Sequence, residues 1–182
     1  MTVDQEKAAD GTLNGLHPNK LEEVVDSLKV ADNLKAFSGP WRSRVVWQGG
    51  FKAKAHMRTH TVAFDEPGDL DTQDTAASAH EHLLSAVGAC MMVGFVLNAT
   101  RQGVRIENLE IVLEGSFDNI LKWAGLDDEG NPAYGEVKAK LYVKADADEQ
   151  LLREIWKKAV DGSPVTQAVA RATPITTDFQ AV

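Results

Sequence analysis

The sequence predicts an α+β fold, in which strands and helices do not alternate regularly along the chain. Two observations support this prediction. Several short segments alternate hydrophobic and polar residues, and two longer segments have the spacing of core helices. Their order is helix, two strands, long helix, two strands, helix and strand, unlike the repeating units of a parallel sheet. The chain has 182 residues, 43% of them hydrophobic, which suffices for one core but is short for two domains.

An N-terminal helical extension is predicted over residues 1–41, ahead of a main domain over residues 42–182. His17-Pro18-Asn19 marks the start of its helical part, and Ser38-Gly39-Pro40 marks the end. Its apolar residues follow helical spacing at Leu21, Val24, Val25 and Leu28. We expect this extension to pack on the main body or on a partner.

Two strands are predicted next, over residues 42–48 and 51–64, with a turn at Gly49-Gly50. The second has an apolar face and a basic face, because its side chains alternate in character. The predicted basic face carries Lys52, Lys54, His56, Arg58 and His60. An acidic loop is predicted to follow over residues 65–79.

A long apolar helix is predicted over residues 78–101, ended by Gly103. Its most apolar part, Leu83 to Ala99, is shorter than the roughly 20 residues that cross a bilayer, so we expect a buried core helix. Strands over residues 105–115 and 136–145 have acidic and basic outer faces, which favours antiparallel pairing. The remaining predicted elements are an excursion over 117–134, helices over 148–160 and 166–171, and a strand over 174–179.

The overall charge and the cysteine count exclude several classes of function. The chain has 19 basic and 27 acidic residues and a net charge of −8, which argues against nucleic-acid and anionic-membrane partners. A single cysteine excludes an internal disulfide framework and a cysteine-rich zinc site. It fits a cytoplasmic protein, and no secretion signal is recognisable. The sequence gives no sign of a cofactor.

Cys90, within the long helix, is the main candidate for chemistry, although most buried cysteines are inert. A reactive thiol needs a nearby cation, and Arg58 of the basic face could supply one. His80 and His82 point about 200° apart on a helix, whereas a helical zinc pair is spaced i, i+4. A metal site built from His82, Cys90 and a strand histidine remains an alternative.

The segment Ala79-His80-Glu81-His82-Leu83-Leu84-Ser85-Ala86-Val87-Gly88-Ala89-Cys90 resembles the first-cysteine motif of the OsmC/Ohr family, the osmotically inducible and organic hydroperoxide resistance proteins. Arg58 and His60, followed by Asp65-Glu66-Pro67, resemble the strand arginine of that family and its following loop. Ser163-Pro164-Val165-Thr166 lies where the family usually has Cys-Pro-Val-Ser. The resemblance covers residues 42–182.

This resemblance implies an intertwined homodimer in which antiparallel sheets enclose two core helices, with active sites at the subunit interface. Cys90 would attack an organic hydroperoxide. Arg58 from the other subunit would lower the pKa of the thiol and orient the peroxide, and Glu81 would be the acidic partner.

Two departures from the family motif affect the implied mechanism. Ala79 replaces the helix-opening proline, and Ser163 replaces the resolving cysteine. Serine cannot form a disulfide, so an external thiol would have to reduce oxidised Cys90. The sequence therefore leaves two main readings: a one-cysteine peroxidase, or a catalytically inactive dimeric protein that binds a small apolar molecule.

Overall fold

The computed structural model describes residues 11–171 and 173–181. Within the predicted extension, helix α1 spans Pro18–Ser27 and helix α2 spans Ala31–Ser38. They are separate helices because Val30 has extended backbone angles, with φ −86° and ψ 125°. Residues 1–10 of the predicted extension lie outside the described residues.

An Asn14-Gly15 turn attaches the chain before α1 to the main body. Both residues have positive φ angles, 55° and 75°, which asparagine and glycine tolerate better than other residues. The Asn14 amide nitrogen donates to Thr100 Oγ1 at 3.1 Å and to the Val104 carbonyl at 2.9 Å. Its oxygen accepts from the Ile106 backbone N–H at 2.8 Å. One side chain thus satisfies groups on both sides of the turn after the long helix.

A three-stranded antiparallel sheet follows the N-terminal helices. It comprises β1 (Arg44–Trp47), β2 (Ala53–Met57) and β3 (His60–Phe64), in that spatial order. Its strongest contacts are between its own strands, whereas the helices and the second sheet pack together as the body of the chain.

The prediction of one strand over residues 51–64 is wrong, because the chain reverses at Arg58 and Thr59. Arg58 has a φ of 53°, a conformation for which the sequence gives no glycine or asparagine as a signal. With two residues in the turn, His60 pairs with Met57 and shares its face, while His56 lies on the other. The predicted continuous basic face is therefore also wrong.

Helix α3 spans Ala79–Arg101, close to the predicted bounds, and forms the centre of the body. Its mean hydropathy and its length of 23 residues would by themselves suit a membrane span. However, helix α5 (Glu149–Asp161), strand β4 (Ile106–Phe117) and helix α6 (Pro164–Ala170) pack against it, as they would around a core helix. The buried core cluster consists of Phe95, Ala99, Val104, Ile155 and Ala159.

Strands β4 (Ile106–Phe117) and β5 (Tyr134–Ala145) pair antiparallel, as predicted. Their outer charges are complementary: Glu114 faces Lys138 across the ladder, and Glu107 forms an ion pair with Lys144. The predicted excursion between them contains one short helix, α4 (Ile120–Trp123).

Helices α5 (Glu149–Asp161) and α6 (Pro164–Ala170) complete the body. The predicted final strand over residues 174–179 is wrong, since residues 173–181 form no strand in this single chain. Ile175 and Phe179 in that segment are 86% and 89% exposed. Alternating residues can favour a strand, but a strand also needs a neighbour to accept its backbone hydrogen bonds.

Candidate functional site

Cys90 lies in the middle of α3 and is half-buried. On one side, the helical neighbours at i−7, i−4 and i+3 are Leu83, Ala86 and Val93, all exposed. Val93 is 69% exposed, an unusual value for an apolar residue on a central helix. Cys90 therefore borders an apolar helix face that nothing in its own chain covers among the described residues.

On its other side, Cys90 lies one helical turn from a close crossing of two helices. Gly94 of α3 contacts Ala159 of α5 so tightly that a Cβ atom on Gly94 would lie 3.1 Å from the Ala159 Cα. Ser163 follows Ala159 by four residues. Cys90 and Ser163, the expected resolving position, are thus each four residues in sequence from this contact.

Ser163 caps α6 and is 2% exposed. Its Oγ accepts a hydrogen bond from the Thr166 hydroxyl at 2.7 Å and a longer one from the Thr166 backbone N–H at 3.3 Å. The expected resolving position is therefore a helix cap in this chain, which is a structural reason for a hydroxyl there.

Arg58 lies exposed in the β2–β3 turn, and its guanidinium makes no hydrogen bond or ion pair with residues 11–171 or 173–181. The contact between this hairpin and α3 is at the opposite end of β3. There the His82 ring approaches the Ala63 carbonyl at 3.1 Å and packs edge-on against Phe64. The guanidinium is consequently available to a group outside its own chain.

Glu81 is the third helical residue of α3, where it completes a capping box with Ser78. Its Oε2 accepts from the Ser78 hydroxyl at 2.7 Å and from the Ser78 backbone N–H at 2.8 Å. These hydrogen bonds, that of the hydroxyl first, lower the pKa of the Glu81 carboxyl below its usual value. Sequence reasoning missed this role, although Ser-x-x-Glu before an apolar run was a readable signal.

Glu81 and Cys90 lie on opposite faces of the same helix. Because α3 is continuous between them, nine residues separate them by about 180° and by about 13 Å along the axis. The structure therefore does not bring Cys90, Arg58 and Glu81 together within one chain.

His80 and His82 at the start of α3 contact protein groups that are not metal ligands. His80 Nε2 lies 3.0 Å from Ser78 Oγ, and since that hydroxyl donates its proton to Glu81, the histidine nitrogen is the donor. No group of three or more His, Cys, Asp or Glu side chains suited to a metal ion occurs within the described part of the chain. The geometry gives no support to the metal alternative.

An aromatic cluster beside the start of α3 was not anticipated from the sequence. The Phe117 and Tyr134 rings stack with centroids 4.9 Å apart, and the Tyr134 hydroxyl donates to the His80 carbonyl at 3.1 Å. Burial, followed by the charge of Glu81, raises the pKa of Tyr134. These contacts hold the first turn of α3 in place. They were not predictable because Phe117 and Tyr134 meet only when β4 pairs with β5.

Comparison with known proteins identifies the fold. The family model described as "OsmC-like protein" matches residues 72–178. The chain is similar to the structure of an OsmC-like protein from Mycoplasma pneumoniae, with 16% identity and a TM-score of 0.62 over 72% of this chain and 88% of that one. For an OsmC-like protein of unknown function from Vibrio cholerae, the identity is 11% and the TM-score 0.60, over 71% and 93% of the two chains.

An organic hydroperoxide resistance protein from Elizabethkingia anophelis is also similar, with 12% identity and a TM-score of 0.52 over 72% of this chain and 89% of that one. No curated protein matches the chain significantly. The family match covers more than half of the chain, and the solved structures share its arrangement of helices and sheets. The resemblance inferred from the sequence is confirmed: the chain belongs to the OsmC-like protein family and has the α+β fold of the OsmC/Ohr proteins.

Proposed function

We propose that this protein is a one-cysteine thiol peroxidase that reduces organic hydroperoxides, with Cys90 as the nucleophile. The observation that carries the proposal is the position of the only cysteine, half-buried beside the exposed apolar flank of Leu83, Ala86 and Val93. That flank suits the hydrocarbon part of an organic hydroperoxide. The similar fold of a protein named for organic hydroperoxide resistance adds support.

The chemistry balances with one cysteine and an external thiol. The Cys90 thiolate attacks the distal peroxide oxygen, the O–O bond breaks, and the departing alkoxide takes a proton to become an alcohol. The resulting sulfenic acid reacts with one external thiol to give a mixed disulfide and water. A second thiol then releases Cys90 and leaves as a disulfide. The lone free thiol fits the reducing cytoplasm, where we place the protein.

The proposed active unit is a homodimer, with Arg58 of one protomer beside Cys90 of its partner. Two features support this arrangement. The three-stranded sheet has its strongest contacts within itself, and Arg58 at its tip has no partner in its own described chain. A guanidinium next to the sulfur would stabilise the thiolate and orient the peroxide.

Glu81 would be an anchoring group at the subunit interface rather than a reacting one. Both Ser78 hydrogen bonds go to Oε2, and the described residues give Oε1 no hydrogen bond. The lowered pKa keeps the carboxylate charged at neutral pH. Since Glu81 lies on the face opposite Cys90, we propose that it acts toward a site shared with the partner and not toward the sulfur of its own chain.

Sulfenic-acid trapping tests the proposal. Reduced protein would receive one equivalent of cumene hydroperoxide together with a dimedone reagent, and mass spectrometry would follow labelling over time. We expect rapid labelling of Cys90, none in Cys90→Ser, and labelling slowed at least tenfold in Arg58→Ala. Arg44→Ala is the matched control, since Arg44 is an exposed arginine of the same sheet, and it should react like the parent protein.

The competing candidate is a catalytically inactive dimeric protein that binds a small apolar molecule. The observation favouring it is Ser163, which caps α6 and stands where the resolving cysteine would be expected. Labelling of Cys90 no faster than that of a free thiol in solution would reject the peroxidase. Saturable binding of an apolar fluorescent probe, retained in Cys90→Ser, would then support the binding protein.

A further inference from the structure

Helix α2 is exposed along its whole length in the part of the chain that the structure describes. All eight of its residues are exposed, and its N-cap residue, Val30, makes no side-chain capping hydrogen bond. Isolated helices shorter than about 12 residues are marginal in water, and most helices in proteins depend on an apolar face packed against something else. The sequence of α2 provides such a face.

The apolar face of α2 is formed by Val30, Leu34 and Phe37, which recur at helical spacing and are each more than half exposed. Trp41, three residues beyond the helix, is a further apolar side chain that is 74% exposed. The two aromatic residues alone offer on the order of 250 Å² of apolar surface, a substantial share of the roughly 800 Å² that each partner buries in a standard interface. We call Val30, Leu34, Phe37 and Trp41 the arm patch.

Neither neighbouring segment of the same chain is suited to cover this patch. The Glu22–Arg101 ion pair at 2.6 Å and the Asn14 hydrogen bonds hold the chain before α2 against the end of α3. Residues 1–10, Met-Thr-Val-Asp-Gln-Glu-Lys-Ala-Ala-Asp, contain four charged residues and only two large apolar ones. That composition lacks the apolar surface needed to bury two aromatic side chains.

We propose that the arm patch packs on a second copy of this chain, so that α2 extends the interface of the dimer. The inference rests on the dimer of the proposed function and adds a contact from outside the residues matched by the family model. Its chain position supports it: α2 directly precedes the sheet that carries Arg58, and β1 of that sheet has two exposed apolar residues of its own, Val45 and Trp47, on one face. The arm would thus accompany the sheet onto the partner and help to fix Arg58 there.

Sedimentation equilibrium tests the contact. Leu34→Ser/Phe37→Ser should raise the dimer dissociation constant at least tenfold, while Asp32→Ser/Lys35→Ser, on the same helix, should leave it within twofold. Both variants should retain the far-ultraviolet circular dichroism of the body, because α2 lies outside the buried core. An unchanged dissociation constant in Leu34→Ser/Phe37→Ser would overturn the proposed arm contact without contradicting the dimer itself.

A photo-crosslink provides a second readout. With p-benzoylphenylalanine in place of Phe37, we expect irradiation to give a product of twice the chain mass, with the crosslinked peptide mapped to the other copy by mixing isotopically light and heavy chains. Crosslinks found only within one chain would contradict the proposal. A parent protein that is monomeric at all concentrations would reject the dimer and the arm contact together, whereas Cys90 labelling reports on the chemistry independently.

Discussion

Gly94 of α3 and Ala159 of α5 are in direct contact, and a Cβ atom on Gly94 would lie 3.1 Å from the Ala159 Cα and 3.3 Å from its Cβ. Ala159 is buried, and these atoms cannot swing aside as the end of a flexible side chain would. Glycine at position 94 therefore sets the spacing between the two helices, one turn away from Cys90.

Gly94→Ala should destabilise the protein despite the better helix propensity of alanine. Propensity gains about 1 kcal/mol, whereas overpacking against a fixed backbone typically costs about 1–3 kcal/mol. We expect a net loss of about 1 kcal/mol in the free energy of unfolding, measured by urea denaturation. Gly68→Ala is the control, since a Cβ there meets no atom within 4 Å. Equal or greater stability of Gly94→Ala would show that the crossing can relax.

Ser78→Ala should remove the cap of α3 and cost about 1 kcal/mol of stability. The reason is that Ser78 is buried, its hydroxyl links Glu81 and His80, and alanine leaves both without that partner. Urea denaturation would be compared with Ser85→Ala, an exposed position on the same helix where the change should be small. Equal effects of the two substitutions would argue against the capping box as a source of stability.

Asp65 should make stability depend on pH in the acid range. The Thr75 backbone N–H, and then the Thr75 hydroxyl, hold the pKa of this buried carboxyl below its ordinary value near 3.8. A lowered folded-state pKa adds stability above that ordinary value, and the contribution is lost as the pH falls through the folded-state pKa. Between pH 6 and pH 3, Asp65→Asn should therefore lose less of its urea midpoint than the parent protein.

The matched substitution for this pH test is Asp69→Asn, which changes an exposed carboxyl of the same loop. Its midpoint should fall on acidification as much as that of the parent protein. Parallel losses in all three proteins would mean that the Asp65–Thr75 hydrogen bonds contribute nothing to the pH dependence.

Ser163→Cys should give the protein a second thiol close enough to capture oxidised Cys90. Cys90 lies four residues before Gly94, and Ser163 lies four residues after Ala159, which contacts Gly94. Under the proposed mechanism, one equivalent of hydroperoxide should therefore convert most of the variant to a form lighter by two hydrogens. Intact-mass spectrometry measures this change. Ser85→Cys places the new thiol on α3 but on a different face, and it should remain reduced. A stable sulfenic acid in Ser163→Cys would place the two positions out of reach of one another.

The parts of the fold that could be predicted are those whose partners lie in the same chain. The β4–β5 ladder was predictable because its outer faces carry opposite charges, and α3 and α5 because their apolar residues face a common core. The reversal at Arg58 was not, since alternation continues through it and no glycine marks it. The prediction of a strand over residues 174–179 was wrong because alternation in the sequence does not show whether a neighbouring strand is available for pairing.

In the candidate site, too, the features set by local sequence were predictable and those set by packing were not. Placing Cys90 on a long apolar helix needed only local spacing, and the structure agrees. The role of Glu81 in the capping box also lay in local sequence, but the acidic-partner interpretation obscured it. The relation of Arg58 to Cys90 could not be read from one chain, because their elements belong to separately packed parts of the molecule.

The Asn14 amide has a consequence for where this protein can be divided. It satisfies the backbone groups of Val104 and Ile106, which lie some 90 residues further along the chain. A fragment starting at residue 42 would expose those groups to solvent or leave them unpaired, even though it would retain every residue matched by the family model. Asn14 thus supplies hydrogen bonds that the end of α3 and the start of β4 need. A shortened version of the protein would need another polar side chain to make those hydrogen bonds.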